Sequence, residues 1–115
     1  MSAVLGTRAD ILGARLPEER VHVEAWGARD FIVRAMSAEV KVAFLAHVRE
    51  DGTADEFCAA VLAFSLAGED GALLLTPEDI PALRQQHADV VKALTERALR
   101  INRMRKDDIE ALRGN

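Results

Sequence analysis

A chain of 115 residues suits one domain, and at that length roughly 65% of the unfolded surface can be buried without metal or disulfide staples. Half the residues are hydrophobic and 30% are charged, and the single Cys58 excludes an internal disulfide, so a stapled secreted scaffold is set aside. The formal charge of -4 argues against a general nucleic-acid binder, but six of the 15 Lys/Arg and three of the 19 Asp/Glu fall in residues 97–113, a local +3 against about -7 elsewhere.

The apolar share is mostly Ala, Leu and Val, which favours helices over a broad sheet. Residues 1–8 lack a basic region followed by a long apolar run, and no apolar run nears 18 residues. Neither a signal peptide nor a membrane span is expected, and a cytoplasmic location is the default. The whole of 1–115 reads as a single domain, with 1–19 a weakly specified N-terminal segment and 112–115 frayed.

In chain order, Thr7 is placed to cap a short helix from Arg8 to about Ala14, with Ile11 and Leu12 on one side, and Pro17 breaks it. Residues 20–24 alternate polar and apolar, and residues 30–34 are β-branched and aromatic. A short link containing Gly27 joins them, so a β-hairpin over about 20–35 is expected. Two strands alone are marginal in water, so the hairpin must lie on something apolar. Val21, Val23, Trp26 and Ile32 are expected to face helices, with Phe31 and Val33 on the other side.

Ser37 then caps a helix over 38–49 with Val40, Phe44, Leu45 and Val48 at helical spacing. Thr53 and Glu56 form a capping-box pattern before a helix to about Leu66, with Phe57, Ala60, Val61 and Phe64 on its core side. Residues 67–71 read as a polar turn and 72–75 as extended or irregular. Thr76-Pro77-Glu78-Asp79 is the clearest helix start in the chain. A short helix to about Arg84 follows, then a long one from about His87 to Met104 with Val90, Val91, Leu94, Ala98 and Ile101 as its stripe. Asp107 to Glu110 suggest a last short turn. The fold class expected is α+β, mostly helical, with the hairpin packed on a bundle of four or so helices.

No pattern of catalysis or metal binding emerges. His22, His47 and His87 are scattered and Cys58 has no neighbouring ligand type, so neither metal nor cofactor is expected. A Cys58–His pair is weaker than a buried Cys with surface His. The loop 68–71 lacks P-loop and EF-hand residues, Ser65 lacks a nucleophile-elbow context, and Asp107, Asp108 and Glu110 serve more simply as helix-start acids. An enzyme is not expected.

Residues suited to partner contact are more visible. Trp26 is either a core plug or an interface anchor, and Arg34 carries the same choice, because Trp and Arg are frequent binding hot spots. Arg97, Arg100, Arg103, Arg105 and Lys106 form either a solvated helix end or a dock for an acidic partner or phosphate. Missing aromatic interleaving makes nucleic acid the weaker version.

Trp26-Gly27, Ile32-Val33-Arg34, Met36-Ser37-Ala38-Glu39, the aliphatic run 61–66, Glu69-Asp70-Gly71, Leu75-Thr76-Pro77-Glu78-Asp79-Ile80, and Val90-Val91, Leu94 and Ile101-Asn102 follow one another in order. Over about residues 21–110 this order resembles the tail assembly chaperones of long-tailed siphophages and related prophages. Gly68 before Glu69 and the charged turn Ala28-Arg29-Asp30 depart from the pattern.

The resemblance implies a non-enzymatic role in virion morphogenesis. Members bind the long apolar tape measure protein, keep it soluble and help tail tube subunits polymerise around it. Many also occur as a longer frameshifted form, through which the tail tube protein is a further partner, and they are absent from the finished virion. The residues expected at client or self contacts are Trp26, Phe31, Val33, Arg34 and Phe44, with Arg97, Arg100 and Arg103 as a second set. A homo-oligomer is open; a membrane partner is not expected. The alternative is a small bacterial regulatory or adaptor domain whose basic C-terminal helix binds an acidic protein or nucleic acid.

Overall fold

Strands β1 (Glu18–Val23) and β2 (Arg29–Arg34) pair antiparallel, as the hairpin reading expected. The computed structural model describes residues 4–48 and 52–104, so the expected last turn at 107–110 and the basic residues Arg105 and Lys106 lie outside the described residues. Strand β3 (Leu66–Ala67) adds to the other side of β2, giving the sheet order β1-β2-β3.

The faces of the hairpin differ from expectation. Val21 opposes Phe31 and Glu19 opposes Val33, so odd-numbered residues of both strands share a face. Val21, Val23, Phe31 and Val33 therefore look into the core together, and Val33 has 0% of its surface exposed. Ile32 belongs to the other face, where it is buried beside its β3 neighbour Ala67. Strand alternation sets which residues share a face within a strand, but the length and shape of the connection set parity between strands. Here residues 24–28 make that connection, through a 3-10 turn (Glu24–Trp26) and two left-handed residues, Gly27 and Ala28 (φ 82 and 53).

Helix α1 (Arg8–Leu12) precedes the sheet, and α2 (Ala38–His47) and α3 (Ala54–Ala63) follow β2. Ser37 caps α2 as expected, its hydroxyl accepting from Val40 N–H at 3.1 Å. On α2 Phe44 is buried, Val40 and Val48 are half-buried, and Leu45 is left exposed with Val42. Helix α3 is the hub of the molecule: every residue from Ala59 to Ala67 is buried, well beyond the one face its periodicity marks. It is packed by α5, α4 and α2. It ends at Ala63 rather than near Leu66, because Leu66 and Ala67 gain more by pairing with β2, and Ser65 C=O accepts Arg34 N–H at 2.8 Å.

After β3 the chain turns back at 68–71, and Leu74 N–H returns to Leu66 C=O at 3.0 Å, so part of the stretch read as extended or irregular is tied to β3. Gly71 takes a left-handed backbone (φ +89) that other residues rarely adopt, and it lies close under the Arg34 guanidinium, 2.8 Å from where a Cβ would stand. A 3-10 turn (Pro77–Asp79) leads into α4 (Ile80–Leu83), with the Asp79 carboxylate accepting from Thr76 N–H at 2.8 Å. Helix α5 (Ala88–Ile101) buries Leu94, Thr95 and Ala98, while Val90, Val91 and Ile101 pack at its margin. It runs from the turn end of the hairpin, where Gln86 meets Trp26, to the open end, where Asn102 holds Met36.

The start of α3 carries the sharpest electrostatic feature. Thr53 accepts from Glu56 N–H at 3.4 Å, but the Glu56 carboxylate turns to Arg84 at 3.7 Å, so the reciprocal half of the expected capping box is not made. Asp55 accepts from the Thr53 hydroxyl and from Arg84 Nε, the latter at 2.7 Å, and these two hydrogen bonds hold its carboxyl down at about 2. The folded value is lowered, so Asp55 stabilises the fold above its unfolded value near 3.8 and that contribution is lost as pH falls through about 2. A carboxyl titration by NMR is expected to find the Asp55 midpoint near 2, moving up towards 3.8 in Arg84→Ala. A wild-type midpoint at 3.8 would contradict the assignment.

Candidate partner-binding surface

The sequence-predicted residues divide into four groups. Val33 and Phe44 have 0% exposure and hold the core, so in this fold neither has surface to offer a partner. Arg34 and Arg97 tie down β1: Arg34 Nη2 meets Glu18 at 3.3 Å and Arg97 Nη1 meets Glu19 at 3.0 Å. Both pairs lie at the open end of the hairpin, where Glu18 opposes Arg34. Arg100 and Arg103 are exposed at and just after the end of α5, and Arg103 takes a left-handed backbone (φ 55) as the helix ends. Trp26 and Phe31 come together at the turn end.

The left-handed pair Gly27-Ala28 turns the chain after Trp26 into β2. The ring meets Phe31 edge to face, centroids 5.3 Å apart at 82°. Nε1–H donates to Gln86 Oε1 at 3.2 Å, which fixes the ring against the α4–α5 link. Trp26 is half-buried: it packs against the core cluster and Phe31, its Nε1 edge is held by Gln86, and it lines a groove. That groove has a volume of about 350 Å³ and is walled by Trp26, Phe31, Leu74, Leu75 and Leu83, with Asp79 and Gln86 also lining it. Leu74 is 53% exposed, a high value for a leucine beside two aromatics.

The leucines were not singled out as site residues. Their signal was the apolar run Leu73-Leu74-Leu75 in a segment with neither helical nor strand periodicity, which has no local structure to bury it. Beside the turn, His22 sits between Asp30 Oδ1 and Glu24 Oε1, both at 2.9 Å, and those hydrogen bonds, Asp30 first, raise its imidazole above the ordinary value.

A larger hollow of about 540 Å³ lies between the end of α2, the start of α3 and α4, lined by His47, Glu56, Phe57, Ile80 and Arg84 among others. It contains none of the expected contact residues. Ser65 is buried, and its Oγ has no hydrogen-bond partner among the described residues. Among those residues no three His, Cys, Asp or Glu are grouped to hold a metal ion, and no helix is long and apolar enough to cross a membrane. The arrangement beside the hairpin turn is an apolar groove with one acid, Asp79, in its lining.

Family models and curated proteins give no match to this chain. Among solved structures it is similar to the tail assembly chaperone of bacteriophage HK97, at 16% identity and a TM-score of 0.56, over 82% of this chain and 91% of that one. At that identity the likeness is one of architecture, and it agrees with the resemblance read from the order of motifs: the chain has a fold similar to that of a phage tail assembly chaperone.

Proposed function

We propose that this protein is a tail assembly chaperone that binds an apolar, helix-rich tail protein, the tape measure, and keeps it soluble until tube subunits polymerise around it. The observation that carries the reading is the fold likeness to the HK97 chaperone over most of both chains. The open groove at Trp26, Phe31 and Leu74 supports it with a suitable surface. A tape measure helix exposes an apolar stripe, and a groove of this kind covers a few side chains of that stripe at i, i+3 and i+4 spacing. Many copies along one client supply avidity without tight individual sites. Arg100 and Arg103 are the exposed cations for acidic positions of the client. The tail tube protein is the second partner, reached through a longer frameshifted form. On this reading the protein acts in the host cytoplasm and is gone from the mature virion.

Co-expression with the tape measure protein of the same phage or prophage is the direct test. The client is expected to move into the soluble fraction and to co-purify with the chaperone. Leu74→Glu, on the exposed wall of the groove, is expected to cut that recovery by about tenfold or more, as for a truncated hot spot. Failure of the wild type to bind or solubilise the client would overturn the proposal.

A further inference from the structure

The outer face of the hairpin carries a charged cluster that the groove does not use. His22 lies on β1, Asp30 is its direct partner on β2, and Glu24 opens the 3-10 turn between the strands. The imidazole Nδ1 meets Asp30 Oδ1 and Nε2 meets Glu24 Oε1, each at 2.9 Å. An ionised carboxylate only accepts, and a neutral imidazole has one N–H and one lone pair. Both contacts are hydrogen bonds at once only when the ring carries both protons.

The two carboxylates are not held alike. Ala35 N–H donates to Pro17 C=O at 2.8 Å, so the hydrogen-bonded pairs of β1 and β2 are the odd-numbered ones. His22 and Asp30 form a non-hydrogen-bonded pair, in which side chains stand closest. The register of the sheet thus fixes Asp30 against His22. Glu24 instead sits on the turn with its side chain 81% exposed, and among the described residues His22 is that side chain's hydrogen-bond partner. Its backbone closes the turn, because Glu24 C=O accepts from Gly27 N–H and from Ala28 N–H, the latter at 3.1 Å. Ala28 has φ 53, a left-handed backbone that a residue with a Cβ adopts at a cost, so the turn needs holding.

The other charges nearby are engaged elsewhere or alternate away. Arg20, two residues before His22 on the same face, meets Glu69 at 3.4 Å. On β2, Arg34 meets Glu18 at the open end, and Arg29 belongs to the opposite face. On α5, Arg97 meets Glu19. His22 therefore answers to Asp30 and Glu24.

We propose that His22 is a proton-operated latch on the hairpin turn. As the imidazolium it ties Glu24 to Asp30 and holds residues 24–28, Trp26 among them, in the conformation described. On losing the Nε2 proton it keeps Asp30, turns a lone pair to Glu24 and releases that side chain to water, and the turn loosens. The same two hydrogen bonds, Asp30 first, raise the imidazole above 6.5. The latch therefore contributes fully below 6.5, and its contribution is lost as pH rises through the higher folded value. Its members are exposed, so the effect is local to the turn and weakens with salt. Because Trp26 walls the groove, that wall is firmer on the acid side of the transition. The latch does not depend on what the groove binds.

NMR of the full chain without a partner tests it. His22 is expected to titrate above 6.5. Solvent protection of the Gly27 and Ala28 amides, corrected for intrinsic base catalysis, is expected to fall roughly two- to fivefold across that same midpoint, the range for one exposed charge pair. Glu24→Gln is expected to show no step, because its amide accepts from the imidazolium and donates to the neutral ring. A His22 midpoint at or below 6.5, protection that stays flat across the wild-type titration, or a step that persists in Glu24→Gln would each overturn the latch. No tail protein is present, so failure here leaves the chaperone reading standing.

Discussion

Phe44→Ala is expected to lower the unfolding free energy by about 3–5 kcal/mol, the usual range for truncating a buried phenylalanine. Phe44 has 0% exposure and is the one fully buried residue that α2 contributes. Its ring meets Phe57 and Phe64 of the α3 region edge to face, each with centroids 5.9 Å apart. Truncation removes both aromatic contacts and leaves a cavity that α2 cannot close, since Val42 and Leu45 point to solvent. A domain of this size has only about 5–15 kcal/mol in total, so the variant should sit near the edge of folding. Urea unfolding followed by circular dichroism measures it. A loss below about 1 kcal/mol would mean that α2 is not anchored through Phe44, against the range expected for a packed ring.

Asn102→Ala is expected to cost about 1–3 kcal/mol, chiefly through the Met36 N–H left unpaired, since Ala98 C=O keeps the Asn102 backbone N–H at 3.0 Å. Asn102 Oδ1 accepts Met36 N–H at 2.7 Å, and Nδ2 donates to Ala98 C=O at 2.8 Å. One part-buried side chain thereby ties the end of α5 to the β2–α2 link. Asn102→Asp should not rescue: it keeps the acceptor for Met36 but turns a carboxylate towards Ala98 C=O at the negative end of the helix dipole. Amide exchange at Met36 gives a local readout, and its protection is expected to fall in Asn102→Ala. Unchanged protection would show that the link is held by other contacts.

The local elements were legible because their signals are local. Thr7, Ser37, Thr53 and Thr76 start helices or helical turns where hydroxyl caps should. Leu94 and Ala98 face inwards as helical spacing requires. Three things were not legible. Strand β3 has two residues, too few for any periodicity, and it exists because β2 offers it an edge. The parity between β1 and β2 was set by the backbone of residues 24–28, which hydropathy does not encode. Phe31 and Val33 exchanged places with Ile32 for that reason. Glu56 went to Arg84 because a cation distant in sequence arrived there.

The contact surface divides in the same way. Trp26 and Phe31 stood out by residue type, yet type could not separate Phe31, at the groove, from Val33 and Phe44, in the core. Leu74, Leu75 and Leu83 joined them only when the 72–75 segment and α4 closed over the hairpin turn.

What the amino-acid sequence determined by itself is the order of the main helices and the two hairpin strands, the helix starts and the α+β class, because capping, turn chemistry and periodicity act over a few residues. What only the tertiary structure decided is which apolar side chains are spent on the core and which remain for a partner. Burial depends on how many elements converge on a side chain, and that number is a property of the assembled fold: Phe44 is fully covered, with Phe57 and Phe64 against it, whereas Trp26, held by Phe31 and Gln86, stays half-buried at the wall of a groove.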